Sequence, residues 1–220
     1  MSDRPAGYDE RPSMRGVLHA WAFVPFVLAG AWLVFSTAPV GRWPTLGYVV
    51  SVTACLGTSA LYHRVYWEPR WYARIRRLDH AMIFGLIVGT WTPLCLVVFR
   101  GRGVETLFAS LCVAAFIGAA ITLLWSGAPK WLRTLVYFGV GCMGVLAVPH
   151  LYATHGALGV GLLAGGGVLY SVGALAYALQ RPNPWPRVFG YHEIFHAFVI
   201  LAAATHFALV ATTVLSVASA

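Results

Sequence analysis

Residues 192–214 read HEIFHAFVILAAATHFALVATTV, an apolar run that opens on two histidines and an acid. A helix crosses the hydrocarbon core of a bilayer in about 20 residues, so this run is long enough to span one. Six more runs of the same kind precede it, at 17–36, 46–66, 79–99, 104–124, 134–152 and 156–180. The breaks between them carry turn and helix-stop residues, as in Gly41-Arg42-Trp43-Pro44 and Arg181-Pro182-Asn183-Pro184-Trp185-Pro186. The fold class read from this pattern is an all-α membrane protein, a seven-transmembrane-helix bundle with short loops and up-and-down order. Pro25, Pro93 and Pro149 are expected to kink or end their helices, which a membrane tolerates where neighbours satisfy the freed carbonyls.

Composition agrees. The chain of 220 residues is 59% hydrophobic and only 10% charged, whereas a soluble domain carries about 25% charged residues. The formal net charge of +8 does not point to nucleic acid, because the arginines sit in short loops between apolar runs. Counted by side, twelve Lys and Arg fall on one face of the membrane, and three, Arg42, Arg100 and Arg102, on the other. The positive-inside rule then puts the N-terminus in the cytoplasm, and an odd number of spans puts the C-terminus outside. The expected layout is a cytoplasmic segment 1–16, a transmembrane domain 17–214 and an external tail 215–220. The first run is long and lacks a small-residue cleavage motif, so it reads as a retained span in a multi-pass protein of the cell membrane. Cys55, Cys95, Cys112 and Cys142 all lie in apolar runs without a CxxC pair and read as small buried hydrophobes. The glycines of the sixth run, among them Gly156, Gly159, Gly161, Gly166, Gly167 and Gly173, read as close helix packing.

This topology gathers the chemistry at one edge. His63 ends the second helix, Asp79 and His80 begin the third, and His192, Glu193 and His196 begin the seventh, all on the cytoplasmic side. Ionisable residues at membrane depth are costly and are functional suspects for that reason. His192 and His196 lie four apart, on one helix face. With His63 they would supply three imidazoles, a donor set that suits zinc with one position open. Asp79 is then available as general base, and Ser59, one turn before His63, as a hydroxyl beside a bound oxygen.

Each residue also has a plainer reading. His63 alone can be an interfacial histidine, and Asp79 can cap the third helix. Glu193 suits the first turn of any helix; the HExxH pattern makes a glutamate the base of soluble zinc proteases, but here helical geometry turns Glu193 about 100° from the histidine pair. His19, at the start of the first helix, can line the site. His80 is expected to face elsewhere, His206 to be a satisfied bundle histidine, and His150 and His155 receive no role.

Three stretches carry a resemblance: Ser59-Ala60-Leu61-Tyr62-His63, Arg77-Leu78-Asp79-His80-Ala81-Met82-Ile83-Phe84 and Phe189-Gly190-Tyr191-His192-Glu193-Ile194-Phe195-His196. Together they resemble the signatures of bacterial hemolysin III proteins, which belong with the progestin and adiponectin receptors (PAQR) in a superfamily of membrane hydrolases that includes alkaline ceramidases. The resemblance runs from Arg15-Gly16-Val17-Leu18-His19 to the seventh helix. It implies a seven-helix bundle with the N-terminus inside, zinc on His63, His192 and His196, and Asp79 and Ser59 beside the zinc-bound water. The chain lacks the long N-terminal region of the receptor members, which argues against regulation by an extracellular hormone.

The leading expectation is a zinc-dependent hydrolase of a lipid amide or ester, with a membrane lipid as substrate. The alternative is a non-catalytic protein whose zinc staples helices two and seven and which senses or adjusts the state of the membrane. A lytic pore ranks last, because the polar groups cluster at one end. Retinal binding is excluded for want of a lysine within a span, Lys130 lying in a loop. A haem held by two histidines fits the i,i+4 pair poorly.

Overall fold

The structure is a computed structural model describing residues 11–99, 103–125, 127 and 130–217, with backbone alone for Lys130, Trp131, Arg133 and Thr134. Of the residues used to orient the chain, Arg4, Arg100 and Arg102 lie outside the described residues, as do 218–220 of the expected tail. The described residues are helical apart from connections, one of which holds an isolated bridge between Trp185 and Phe189. In chain order the helices are α1 (Val17–Ser36), α2 (Pro39–Arg64), α3 (Pro69–Pro93), α4 (Val104–Leu124), α5 (Lys130–Cys142), α6 (Val148–Leu179) and α7 (Tyr191–Val217). A π-helical turn, Leu94–Val98, prolongs α3, and a 3₁₀ turn, Met143–Ala147, joins α5 to α6.

Six helical stretches among the described residues are long and apolar enough to cross a membrane. They present Leu28, Phe35, Val113, Phe116 and Leu158 outward, as the lipid-facing side of a bundle must. Two exposed tryptophans, Trp43 near the start of α2 and Trp185 in the connection before α7, lie where amphipathic rings settle at headgroup level. Four buried threonines, Thr37, Thr90, Thr122 and Thr213, each donate to the carbonyl four residues earlier, whereas the buried hydroxyls of Thr45 and Tyr48 have no partner among the described residues.

The fifth of the six stretches, Leu135–Leu179, holds 45 residues, about 68 Å of helix at 1.5 Å per residue against a core of about 30 Å. It is not one rod. Gly156 sits at φ 57, ψ −152, inside an otherwise helical run, a conformation essentially confined to glycine. A Cβ placed on Gly159 would meet Leu151 Cδ1 at 3.0 Å, though eight residues of straight helix separate Cα atoms by about 12 Å. The chain therefore folds sharply at Gly156. Beyond it α6 runs antiparallel to α7, with Gly166 against His206 and Gly173 against Phe198. The glycine stripe is only partly a packing face, since nothing lies within 4 Å of a Cβ added at Gly161 or Gly167.

The prolines behave unequally. Pro93 ends α3 where the π turn begins, Pro149 falls in the first turn of α6, and Pro25 lies within α1 without ending it. The main difference from the sequence reading is the start of α3, which begins at Pro69 rather than 79. Pro69 supplies the favoured first-turn proline, and the arginine-rich stretch after it forms helix that the apolar pattern does not reveal. Asp79 is consequently the eleventh residue of α3. The reading of Asp79 as a helix cap fails, because its neighbours' N–H groups already have intrahelical acceptors.

Candidate metal centre

The end of α2 and the start of α7 meet at the arginine-rich end of the bundle. His63 is the penultimate residue of α2, and His192 and His196 occupy the first two turns of α7. The spacing of the pair puts both rings on one face. His63 and His196 are buried and His192 is partly so, and one ligand nitrogen from each lies within 4.8 Å of the others. The Nε2 atoms of His63 and His192 are 3.2 Å apart. This group can hold a metal ion, and among the described residues it is the cluster of three or more His, Cys, Asp or Glu with that geometry.

Ser59 lies one turn before His63 on α2, is buried, and has the Asp79 carboxylate of α3 as a near neighbour. The Asp79 side chain is 15% exposed. His80 turns away: its Nδ1 lies 2.7 Å from the Arg76 carbonyl, so that nitrogen carries the proton. Its 3.6 Å separation from Asp79 Oδ2 is too long for a hydrogen bond. The structure thus places Ser59 and Asp79 together and the three histidines together at the same end.

Glu193 is committed elsewhere. It is 1% exposed, its Oε1 is ion-paired with Arg15 Nε, and its Oε2 accepts the Gly190 N–H at 2.8 Å. Gly190 directly precedes α7, so the second contact has the geometry of a capping-box glutamate at the third helical position. Both oxygens are used, and neither serves the histidines.

A family profile described as "Haemolysin-III related" matches residues 8–207. The chain belongs to the haemolysin-III related family. Among its curated relatives, "Hemolysin-3" of Bacillus cereus is 33% identical over 172 residues, covering 78% of this chain and 75% of that protein. "Hemolysin-3 homolog" of Bacillus subtilis (strain 168) is 34% identical over 178 residues, covering 80% of each. "Heptahelical transmembrane protein ADIPOR2" of Oryza sativa subsp. japonica is 31% identical over 189 residues, covering 78% of this chain and 82% of the plant protein. The chain is thus a multi-pass haemolysin-III protein, with plant heptahelical proteins among its relatives.

Two features of this haemolysin-III site are not legible as spacing. The first is a strap, Arg11–Gly16, across the mouth of the site. Ser13 and Met14 donate backbone N–H groups to Arg187 and Val188 in the loop before α7, Arg11 reaches the Tyr72 hydroxyl, and Arg64 reaches the Ser13 carbonyl. Gly16, at φ 76, lies so close to His63 that an added Cβ would sit 2.5 Å from His63 Cβ. The second is His19, which the sequence offers only as a candidate lining residue. Its ring is stacked on that of His196 with centroids 3.9 Å apart and an interplanar angle of 1°. The remaining histidines are as read or without role: His206 Nε2 donates to the Leu163 carbonyl, His155 meets Ser216, and His150 stacks on Phe99.

Proposed function

We propose that this haemolysin-III protein crosses the plasma membrane seven times with its N-terminus in the cytoplasm, holds one zinc ion on His63, His192 and His196, and hydrolyses a lipid amide or ester. The observation that carries the metal assignment is the 3.2 Å between two ligand nitrogens from helices 129 residues apart in sequence. Two nitrogens each ~2.0–2.1 Å from a tetrahedral ion lie about 3.3–3.4 Å from one another. The His63–His192 pair fits such an ion, and the third nitrogen, from His196, lies within 4.8 Å of the other two, a gap that rotation of the rings can close. The count of seven crossings is supported by the fold at Gly156, about midway along the 45-residue stretch. The transmembrane domain is 17–214, extended by the last turn of α7 to Val217, with a cytoplasmic segment before it and a short external tail after it.

Zinc, when bound, polarises a carbonyl and makes water a nucleophile near neutral pH. The residues of the chain do the rest. Asp79 accepts the proton released by the attacking water and returns it to the leaving group. Ser59 orients Asp79 through its hydroxyl and lies beside the position of the developing oxyanion. The strap keeps bulk water from the cytoplasmic mouth. Since the site lies at the end of the bundle, the reacting linkage would sit near headgroup depth, where lipid amides and esters are found.

A second reading, a non-catalytic protein adjusting membrane state, is favoured by one observation: the triad joins α2 to α7, so bound metal would staple those helices. A lytic role is suggested by the name of the Bacillus cereus relative; against it, the cluster of ionisable side chains lies at one end of the bundle, and Thr37, Thr90, Thr122 and Thr213 spend their hydroxyls on backbone carbonyls. Elemental analysis of purified protein, followed by incubation with ceramide-type amides and phospholipid esters, tests the proposal. One zinc per chain and metal-dependent turnover are expected, with His196→Ala losing both. One zinc per chain without turnover would refute the hydrolase and leave the staple. Full zinc content in His196→Ala would refute the ligand set.

A further inference from the structure

His19 is the third residue of α1 and is 3% exposed. Neither of its ring nitrogens makes a hydrogen bond of good geometry among the described residues, although the His196 backbone lies near the ring. Leaving such a group unmet in a protein interior is costly, and native structures nearly always satisfy it with protein, water or ligand. A histidine retained here for packing alone would be a poor choice, since an apolar ring would fill the same space without the penalty.

Its geometry says what the nitrogens can reach. The ring is parallel to His196 to within 1°, with centroids 3.9 Å apart. A metal held by His196 lies in the plane of that imidazole. Every atom of a parallel ring is then about 3.5 Å from the metal, the contact distance of stacked rings, or further. A zinc–nitrogen bond needs ~2.0–2.1 Å. His19 is therefore excluded as a fourth ligand to the same ion while the stack persists, though its ring lies directly against that of His196.

Resting on the metal assignment above, we propose that His19 is a positioning residue: it stacks on His196 and hydrogen-bonds, through a ring nitrogen, the water or substrate oxygen that fills the position the three ligands leave open. The stack also holds the His196 ring at the angle its ligand nitrogen needs. Outer partners of this kind orient a metal site and its exogenous ligand, and their loss weakens metal binding by about 10–100-fold.

The test uses the full chain in lipid nanodiscs. Zn²⁺ affinity is measured by competition with a chromophoric chelator, and Co²⁺ is used as a spectroscopic probe. His19→Phe keeps a stacked ring and removes both nitrogens. It should bind Zn²⁺ about 10–100-fold more weakly, show an altered Co²⁺ visible spectrum, and melt in the metal-free state no lower than wild type. His19→Gln, which retains polar groups, should recover most of the lost affinity; if His19→Phe does not fold, His19→Leu takes its place. Wild-type affinity and spectrum in the apolar variant would overturn the proposal, as would a glutamine variant no better than the apolar one. If wild-type protein itself binds neither metal, the metal assignment fails first and the proposal falls with it, a result distinct from the other two.

Discussion

Arg15 and Glu193 lie 178 residues apart in sequence and meet at the mouth of the site. Glu193 is 1% exposed and Arg15 19% exposed. Removing one partner of a buried pair leaves an uncompensated charge, at a cost of about 3–5 kcal/mol. Arg15→Ala should fall at the lower end of that range, near 3 kcal/mol, because water can approach from the arginine side. Glu193→Gln keeps an acceptor for the Gly190 N–H and leaves arginine, the easier charge to hydrate, without its partner; a cost of about 1–2 kcal/mol is expected. In the double variant no carboxylate remains to be stranded, so the two costs should not add, and the cycle should give a coupling of about 1–3 kcal/mol. A chain of this size shifts its melting temperature by about 2–4 °C per kcal/mol. Arg15→Ala should therefore melt roughly 6–12 °C below wild type, with the double variant no lower than Arg15→Ala alone. Thermal unfolding of the four proteins in one detergent, followed by circular dichroism, measures the cycle. Additive losses, or an Arg15→Ala protein as stable as wild type, would refute the argument that this pair fastens the strap to α7.

Asp79→Asn keeps size and a carbonyl acceptor but cannot take a proton; it should leave zinc content near normal while cutting hydrolysis by roughly 10²-fold or more. Glu193→Gln assayed beside it should retain most of its turnover per folded molecule, and the reverse ranking would make Glu193 the base. For topology, reporter fusions at the two ends should report opposite sides of the membrane, cytoplasmic for the N-terminus, and a shared side would mean that the fold at Gly156 does not separate two crossings.

The seventh apolar run and the histidine pair at its head were legible because each depends on a single short-range rule: length for the span, four-residue spacing for the shared face. His63 was legible because span lengths and arginine positions fixed its depth. The start of α3 was not legible, since Arg70, Arg74, Arg76 and Arg77 extend the helix beyond its apolar part and hydropathy sees only the latter. That error had a consequence for chemistry. It made Asp79 look like a cap, whereas ten residues of helix precede it.

Glu193 shows where spacing stops being informative. The HExxH pattern admits the glutamate as a base, and helical geometry alone gives only its direction, away from the histidines. What fixes its role is the segment it meets there. Gly190 lies three residues back on the same chain, so a capping box at the start of α7 is a local expectation. Arg15 comes from the other end of the chain, and its arrival depends on the strap pairing Ser13 and Met14 with Arg187 and Val188. The same strap brings Gly16 onto His63. The residues whose roles escape sequence reasoning, Arg15, Gly16 and His19, all belong to the first few residues before and within α1. They act through tertiary contacts with α2 and α7, not through any periodicity of their own. The candidate ligands follow from helix register, whereas the residues proposed to seal and orient the site follow from how the N-terminal segment is laid across the helix ends.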